Sequence, residues 1–256
     1  MARDSGKAMM SDSYDVIAEQ AADLLSTLAA HLAQRSAEDA RCMPFAQRLM
    51  DLEYSPAHDQ RWEPLEHPTM RFLGLAAEGA SGAPDGLLPS QEIIHKLPWY
   101  QVYRGGDLDD ALAEGLLAAQ IVGNVGLFSS SQIRCGIFLI APGIHYPLHT
   151  HQASELYYCL SGKLEIAHGL KDESFWLRPG KHSITPSNRL HSLTTHHDPA
   201  LLLYMWMGDV DSPNWWWERQ ADGGWSRTRW VRSPDGSWVR TVTEPVTQDV
   251  MHEATL

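Results

Sequence analysis

A mainly β fold, a single antiparallel barrel or sandwich preceded by N-terminal helices, is what this sequence predicts. Three observations carry the prediction. Short apolar or alternating runs follow one another from residue 120 to 207, punctuated by Gly, Pro and Asn, and many short strands at close spacing argue for an antiparallel barrel. The residues before them show helical periodicity instead. Within the strand region, histidines and a glutamate recur at spacings that put them on one side of a sheet.

The elements follow in order. Residues 1–12 read as a ragged start. From Ser13 the pattern turns helical: Val16, Ala21, Leu24, Leu25, Leu28 and Leu32 recur near a helical period, and Ser13 or Asp15 could cap the start. A second helix is expected over 37–51, with Pro44 interrupting it near its beginning. Residues 54–98 hold many Pro, Gly and His and little periodicity, which predicts a loop-rich crossing with short pieces of structure. Asp107 to Ala119 reads as one more amphipathic helix, with Leu108, Ala111, Leu112, Gly115 and Leu116 on a face. Strands are expected at 120–127, 132–141, 155–160, 163–168, 173–178, 182–186, 190–195 and 200–207.

The last third is rich in tryptophan. Trp215, Trp216, Trp217, Trp225, Trp230 and Trp238 fall within 24 residues, and DGGWSRT at 222–228 returns as DGSWVRT at 235–241. Each copy opens on Asp-Gly, a hairpin-turn signal, so a pair of hairpins is expected, packing on the barrel or covering its mouth. Packing is the ordinary use of such rings; contact with a cationic ligand is the bolder one. These textures divide the chain into a helical and loop-rich extension (1–119), a barrel core (120–210) and a Trp-rich hairpin segment (211–256).

With 256 residues, about 43% of them apolar, the chain can bury a substantial core as one large domain or one domain with an extension. A formal charge of −12 argues against a broad nucleic-acid footprint and is read as surface solvation. Cys42, Cys135 and Cys159 are odd in number and contain no C-x-x-C pair. Cys135 and Cys159 sit in apolar runs and are expected as small buried residues, in keeping with a reducing compartment. No signal-peptide pattern and no bilayer-length apolar run is apparent, so a cytoplasmic protein without membrane partners is expected.

The chemistry is concentrated in GIHYPLHTHQASELYYCLSG, residues 143–162. Side chains two apart on a strand share a face, so His149 and His151 project together, and a short turn lets Glu155 join them. Two nitrogen ligands and one oxygen ligand suit Fe, Mn, Ni, Co or Zn. A further ligand is expected from GKHSITPSNRLH, residues 180–191, where His191 follows a Pro-Ser-Asn turn and Asn188 tolerates left-handed backbone. His145, two residues before Pro147, could stand behind the ligands. His168, His182, His196 and His197 lack a partner pattern and read as surface or loop residues.

The first stretch matches the first cupin motif, G-x5-H-x-H-x3-E-x6-G, through Gly143, His149, His151, Glu155 and Gly162. The second resembles the second cupin motif through Gly180, Pro186 and His191, with Asn188 in place of a glycine and Thr195 in place of the final asparagine. This resemblance implies a double-stranded β-helix, or jelly roll, binding one divalent metal through His149, His151, Glu155 and His191. Adding Tyr146 and Tyr157 gives Y-x2-H-x-H-x3-E-x-Y, which resembles the cupin-type dimethylsulfoniopropionate lyases, a family with N-terminal helices before a single metal-binding barrel.

That resemblance implies a lyase releasing acrylate and dimethyl sulfide from a small carboxylate bearing a sulfonium. It implies Tyr157 as base or occasional metal ligand, with Tyr146 as hydrogen-bond donor or auxiliary base. A free phenol, with a pKa near ~10, is too protonated to serve at neutral pH, and a nearby divalent cation would lower it. The sulfonium needs an electron-rich wall. Tyr204 and Trp206 share parity on a late strand and are the candidates; the opposite parity would present Leu201, Leu203 and Met205. A homodimer is expected from the resemblance. Alternatives are a metal-dependent dioxygenase, a non-catalytic cupin binding a sugar or acid, and an isomerase or decarboxylase acting on a small carboxylate.

Overall fold

The computed structural model describes residues 2–53, 63–80, 83–84, 86–104, 108–170 and 174–255, with side chains from Tyr14 onward except that of Glu92. The loop expected at 54–62, 81–82 and 85, the helix start at Asp107 and the strand start at 173 lie outside the described residues.

The first helix, α1 (Ala2–Arg35), begins well before Ser13. The ragged start and the cap at Ser13 or Asp15 are therefore corrected: both residues lie inside the helix. Residues 2–12 contain no proline and one glycine, Gly6, and a single glycine costs a helix only about 1 kcal/mol. The buried stripe runs Ile17, Ala21, Leu24, Leu25, Leu28 and Leu32, whereas Val16, expected on it, is 46% exposed. In α2 (Cys42–Met50), Pro44 sits in the first turn, where its missing N–H has no intrahelical partner to lose. It does not interrupt the helix. The crossing beyond holds a 3-10 turn (Pro68–Met70), α3 (Arg71–Gly79), α4 (Gln91–Ile94) and β1 (Trp99–Gln101).

The expected helix over 107–119 is shorter than its periodicity suggests. α5 (Asp110–Gly115) ends where β2 (Leu116–Val122) begins. All seven β2 residues are buried, and a continuous apolar run does not distinguish strand from buried helix by period alone. The remaining strands are β3 (Ile133–Ile140), β4 (His145–Thr150), β5 (Ser154–Ser161), β6 (Leu164–His168), β7 (Ser174–Leu177), β8 (His182–Thr185), β9 (His191–Thr194) and β10 (Ala200–Met207). Besides β1, β4 is the strand missing from the expected set. Pro147 interrupts its signal, and the pairing with β9 shifts register between Tyr146 and His149, as a proline inside a sheet requires.

Two antiparallel sheets face each other as a double-stranded β-helix, the cupin arrangement expected, without closing into one hydrogen-bonded barrel. One sheet has the order β1-β2-β3-β10-β5-β8. The other joins β11 (Asn214–Arg219), β12 (Trp225–Arg232) and β13 (Trp238–Pro245) in the order β13-β12-β11-β4-β9-β6-β7. Phe138, Tyr157, Leu202 and Tyr204 of the first sheet pack with Ile166, Leu193, Trp230 and Trp238 of the second. The outer face of the first sheet, including Ile137, Leu203 and Met205, packs on α1 and α2. Burial on both faces makes β10 read as an unbroken apolar run, and β3 as one interrupted only by the buried Arg134 and by Gly136, even though they are antiparallel.

The Trp-rich segment forms the expected hairpins, and these extend a sheet: β11 pairs with β4 at Trp215–Thr150 and Trp216–His149. The two Asp-Gly repeats supply the turns, with Gly223 at φ +85° and Gly236 at φ +90°, values an L side chain resists. An unforeseen helix, α6 (Gln248–Thr255), follows and packs Ala254 beside Leu190 and Trp217. Among the described residues no helix is long and apolar enough to cross a membrane.

Candidate metal centre

The centre lies between the two sheets. β4 and β9 bring His149 opposite His191 in register, His151 follows the end of β4, and β5 supplies Glu155 from the facing sheet. All four side chains are buried. One ring nitrogen from each of His149, His151 and His191 lies within 4.8 Å of the other two, so these imidazoles could hold a metal ion. Glu155 Oε2 stands 3.2 Å from His191 Nε2 and 3.6 Å from His151 Nε2.

The backbone sets the tautomer of each ring. Nδ1 of His149 donates to the Pro147 carbonyl at 2.8 Å, that of His151 to Ala153 at 2.8 Å and that of His191 to Arg189 at 2.9 Å. A carbonyl accepts, so each Nδ1 carries the proton and a neutral ring presents an Nε2 lone pair. His151 Nε2 is buried with no hydrogen-bond partner. Burial holds His149 well below its ordinary range, and the neighbouring His191 and His151 lower it further. Burial opposes ionisation of Glu155, but the close approach of the His151 and His191 rings outweighs it and keeps the carboxyl well below the usual carboxylate range. Lone pairs and a carboxylate oxygen facing one another without shared protons repel unless a cation lies between them. The donor set therefore fits a divalent metal.

Local turns hold this geometry. Asn188 has φ +60°, the left-handed conformation expected of it, and its N–H donates to the His151 carbonyl at 2.8 Å, tying together the two stretches that carry the candidate ligands. Thr195 donates to the Ala141 carbonyl at 2.6 Å and accepts from the Ile144 N–H at 3.0 Å. It thereby closes the turn that leads into β4.

Aromatic residues line a small cavity of about 50 Å³ beside Glu155, with Tyr146, Tyr157, Tyr204 and Trp206 all on its wall. Tyr157 stacks on Phe138 with centroids 6.1 Å apart. Burial pushes its phenol well above the ordinary range, and the Glu155 charge adds to the effect. Trp206 stacks against His151 at 4.1 Å and donates its indole N–H to Glu155 Oε1. Leu201, Leu203 and Met205 take the opposite face, into the helix-side core.

Tyr146 stacks on His149 at 4.0 Å and shares a short hydrogen bond with the buried Tyr103. Asn214 Nδ2 donates to Tyr103 at 2.6 Å and to Tyr146 at 2.8 Å, and the Trp216 indole N–H donates to Tyr103 at 3.1 Å. With both Tyr103 lone pairs engaged, its proton goes to Tyr146. Tyr146 then has both lone pairs engaged and its own proton free to donate.

Tyr103, Asn214 and Arg232 were not identified from the sequence, and Trp216 was named only as one of the clustered tryptophans. Arg232 sits 4.3 Å over the Trp238 ring and 5.8 Å from that of Trp206, with its Nε buried and unpartnered. The cluster of tryptophans around them was the signal for Asn214, Trp216 and Arg232; Tyr103 carried none. His145 is exposed and bonds Thr194, away from the centre. His168 is not a surface residue: half-buried, it reaches Thr185 at 3.3 Å, and its ring centroid lies 6.4 Å from that of His191. Burial pushes it down to about 4, with His191 contributing. His196 is at the surface, paired with Glu165.

Known proteins share this architecture. A crystal structure of the dimethylsulfoniopropionate (DMSP) lyase DddQ from Ruegeria pomeroyi is similar at a TM-score of 0.52 and 22% identity, covering 75% of this chain and 94% of that one. A structure reported with the DMSP lyases RdDddP and RnDddQII is similar at 0.51 and 20%, covering 71% and 93%. In sequence, the Ruegeria pomeroyi DddQ lyase is 29% identical over 115 residues, which are 44% of this chain and 56% of that protein. The chain thus spans a little over half the length of that curated relative. The family model for dimethylsulfoniopropionate lyase matches residues 45–202, more than half of the sequence and every expected metal ligand. By that match, the chain belongs to the dimethylsulfoniopropionate lyase family.

Proposed function

We propose that the chain is a metal-dependent carbon–sulfur lyase that cleaves dimethylsulfoniopropionate to acrylate and dimethyl sulfide. The observation that carries this reading is the convergence of three imidazole nitrogens and the Glu155 carboxylate beside a cavity walled by Tyr157 and Tyr146. His149, His151, His191 and Glu155 would hold one divalent transition metal (iron, manganese, zinc, nickel or cobalt), which supplies Lewis acidity toward a substrate carboxylate.

The chain's own residues do the rest. Tyr157, whose phenol burial holds protonated until a bound cation lowers its pKa, takes as phenolate the proton from the carbon next to the carboxylate. The electron pair of that C–H bond forms the new double bond, the carbon–sulfur bond breaks, and dimethyl sulfide leaves neutral with the bonding pair. Tyr146 acts as a hydrogen-bond donor, since Tyr103 and Asn214 occupy its lone pairs; this supports the donor role over the auxiliary-base role. Trp206 aims Glu155 and packs His151. Tyr204 and the Trp206 ring provide the electron-rich wall for the sulfonium; Arg232, 5.8 Å from the Trp206 ring, lines the same cavity and its charge opposes a cation there.

The test is to load the purified protein with Mn(II) or Fe(II), add dimethylsulfoniopropionate and measure dimethyl sulfide in the headspace. Rapid release is expected; no release from protein shown to hold metal would overturn the reading. Three histidines and one glutamate also suit oxygen chemistry, and substrate-dependent oxygen uptake without dimethyl sulfide would point to a dioxygenase instead.

A further inference from the structure

Outside this centre, Asp39, Cys42 and His182 bring one carboxylate oxygen, one thiol sulfur and one imidazole nitrogen within 4.8 Å of one another. Asp39 lies in the turn after α1, Cys42 opens α2, and His182 opens β8, an edge strand of the six-stranded sheet. His182 shares strand parity with Ile184, which packs in the helix-side core, whereas Glu155 and Tyr157 look toward the other sheet. The two clusters are on opposite faces of that sheet.

The spacing is that of ligands around an ion. His182 Nε2 is 3.3 Å from Cys42 Sγ and 3.3 Å from Asp39 Oδ2. Around a tetrahedral zinc, with bonds of ~2.3 Å to sulfur and ~2.0 Å to nitrogen or oxygen, sulfur and nitrogen stand about 3.5 Å apart and nitrogen and oxygen about 3.3 Å. A charge-assisted N–H to carboxylate bond is shorter, about 2.7–2.9 Å, and one Nε2 proton cannot serve both partners well. Comparable spacings, 3.2 and 3.6 Å, separate Glu155 from its histidines in the first centre.

Asp39 is held in place from behind by Arg41, through Nε to Oδ1 at 2.9 Å and Nη2 to Oδ2 at 2.8 Å, the kind of outer hydrogen bonding that orients a ligating carboxylate. The His182 and Asp39 side chains are 16% and 19% exposed, so an ion has a way in. A catalytic cysteine is the competing use. Cys42 is fully buried, and burial, with the Asp39 charge added, pushes its thiol up to about 11, which leaves no nucleophile at neutral pH.

We infer that Asp39, Cys42 and His182 form a second metal site, for a thiophilic divalent ion such as zinc, that pins the helical hairpin to the edge of the sheet. Water or another small ligand fills the fourth position. Binding transfers the thiol proton to solvent and leaves a thiolate–metal bond.

Cobalt(II) titration of the full chain tests it, because thiolate-to-cobalt charge transfer gives a near-ultraviolet band that three histidines and a glutamate do not. Two equivalents and that band are expected. Cys42→Ser and His182→Gln should each lose the band and about one equivalent, while His149→Ala should keep the band. A parent protein without the band, or a band that survives Cys42→Ser, would overturn the proposal. Near-ultraviolet circular dichroism checks that the variants fold. If Cys42→Ser does not, His182→Gln leaves the buried thiol in its packing and decides the matter.

Discussion

At the residue scale, the proposed reaction divides the centre into groups that would bind, groups that would react and groups that would aim. Tyr157→Phe removes a hydroxyl without touching the four candidate ligands. It should lower kcat by at least ~100-fold, the usual contribution of a positioned base, while metal content by elemental analysis stays at the parental level; an unchanged kcat would move the base elsewhere. Trp206→Phe removes the indole donor to Glu155. A hydrogen bond to a charged group contributes about 1.5–3 kcal/mol, so metal affinity should weaken roughly 10- to 100-fold, measured by competition with a chelator. The sequence disclosed the candidate ligands because His149, His151 and Glu155 are neighbours along the chain and strand parity predicts their shared direction. Parity likewise turned Trp206 inward. It could not disclose Tyr103, whose partners Tyr146, Asn214 and Trp216 lie 43, 111 and 113 residues away, because nothing local to Tyr103 marks contacts that only the fold creates.

At the scale of elements, the errors in reading are physical ones. The run from Leu116 to Val122 is buried on both sides and apolar but for Gln120, so a helical and an extended chain present nearly the same string, and the buried strand was split between an expected helix and an expected strand. β4 was hidden by Pro147, which bends the strand just before His149. The turn before β9 was legible because Asn188 is one of the few residues that accept φ +60°. Asn188→Gly should leave stability within about 1 kcal/mol of the parent, the loss being its side-chain bond to Glu253. Asn188→Val should cost about 1–3 kcal/mol through backbone strain and loosen the hold on the His151 carbonyl. Chemical denaturation of the two variants side by side would separate conformation from hydrogen bonding; equal losses would assign the effect to the side chain alone.

At the scale of the whole molecule, the helices and the Trp-rich strands do different jobs. α1 and α2 cover the outer face of one sheet, and β11 to β13 widen the other beside the cavity. The order of strands could not be read from the sequence, because β10 pairs with both β3 and β5 across long stretches of chain. An ion at the buried centre joins β4, β5 and β9, so it stabilises the folded chain by linkage. At a free concentration one hundred times Kd the gain is about 2.7 kcal/mol. Chelation should therefore lower Tm measurably, and returning Mn(II) should restore it. A Tm indifferent to metal would mean that the four side chains hold none.

Each of the three imidazoles is anchored to a carbonyl two residues away in its own chain segment. These anchors are formed by the strand ends themselves, so the rings are aimed before any ion arrives. A receptacle shaped in advance admits its occupant quickly and releases it with little rearrangement. It also selects by radius and coordination number, since it does not mould itself around one ion. For divalent metals of similar size the occupant then follows cellular supply and the general order of binding strengths. Preparations of one and the same polypeptide grown in different media should consequently carry different metals at the same site.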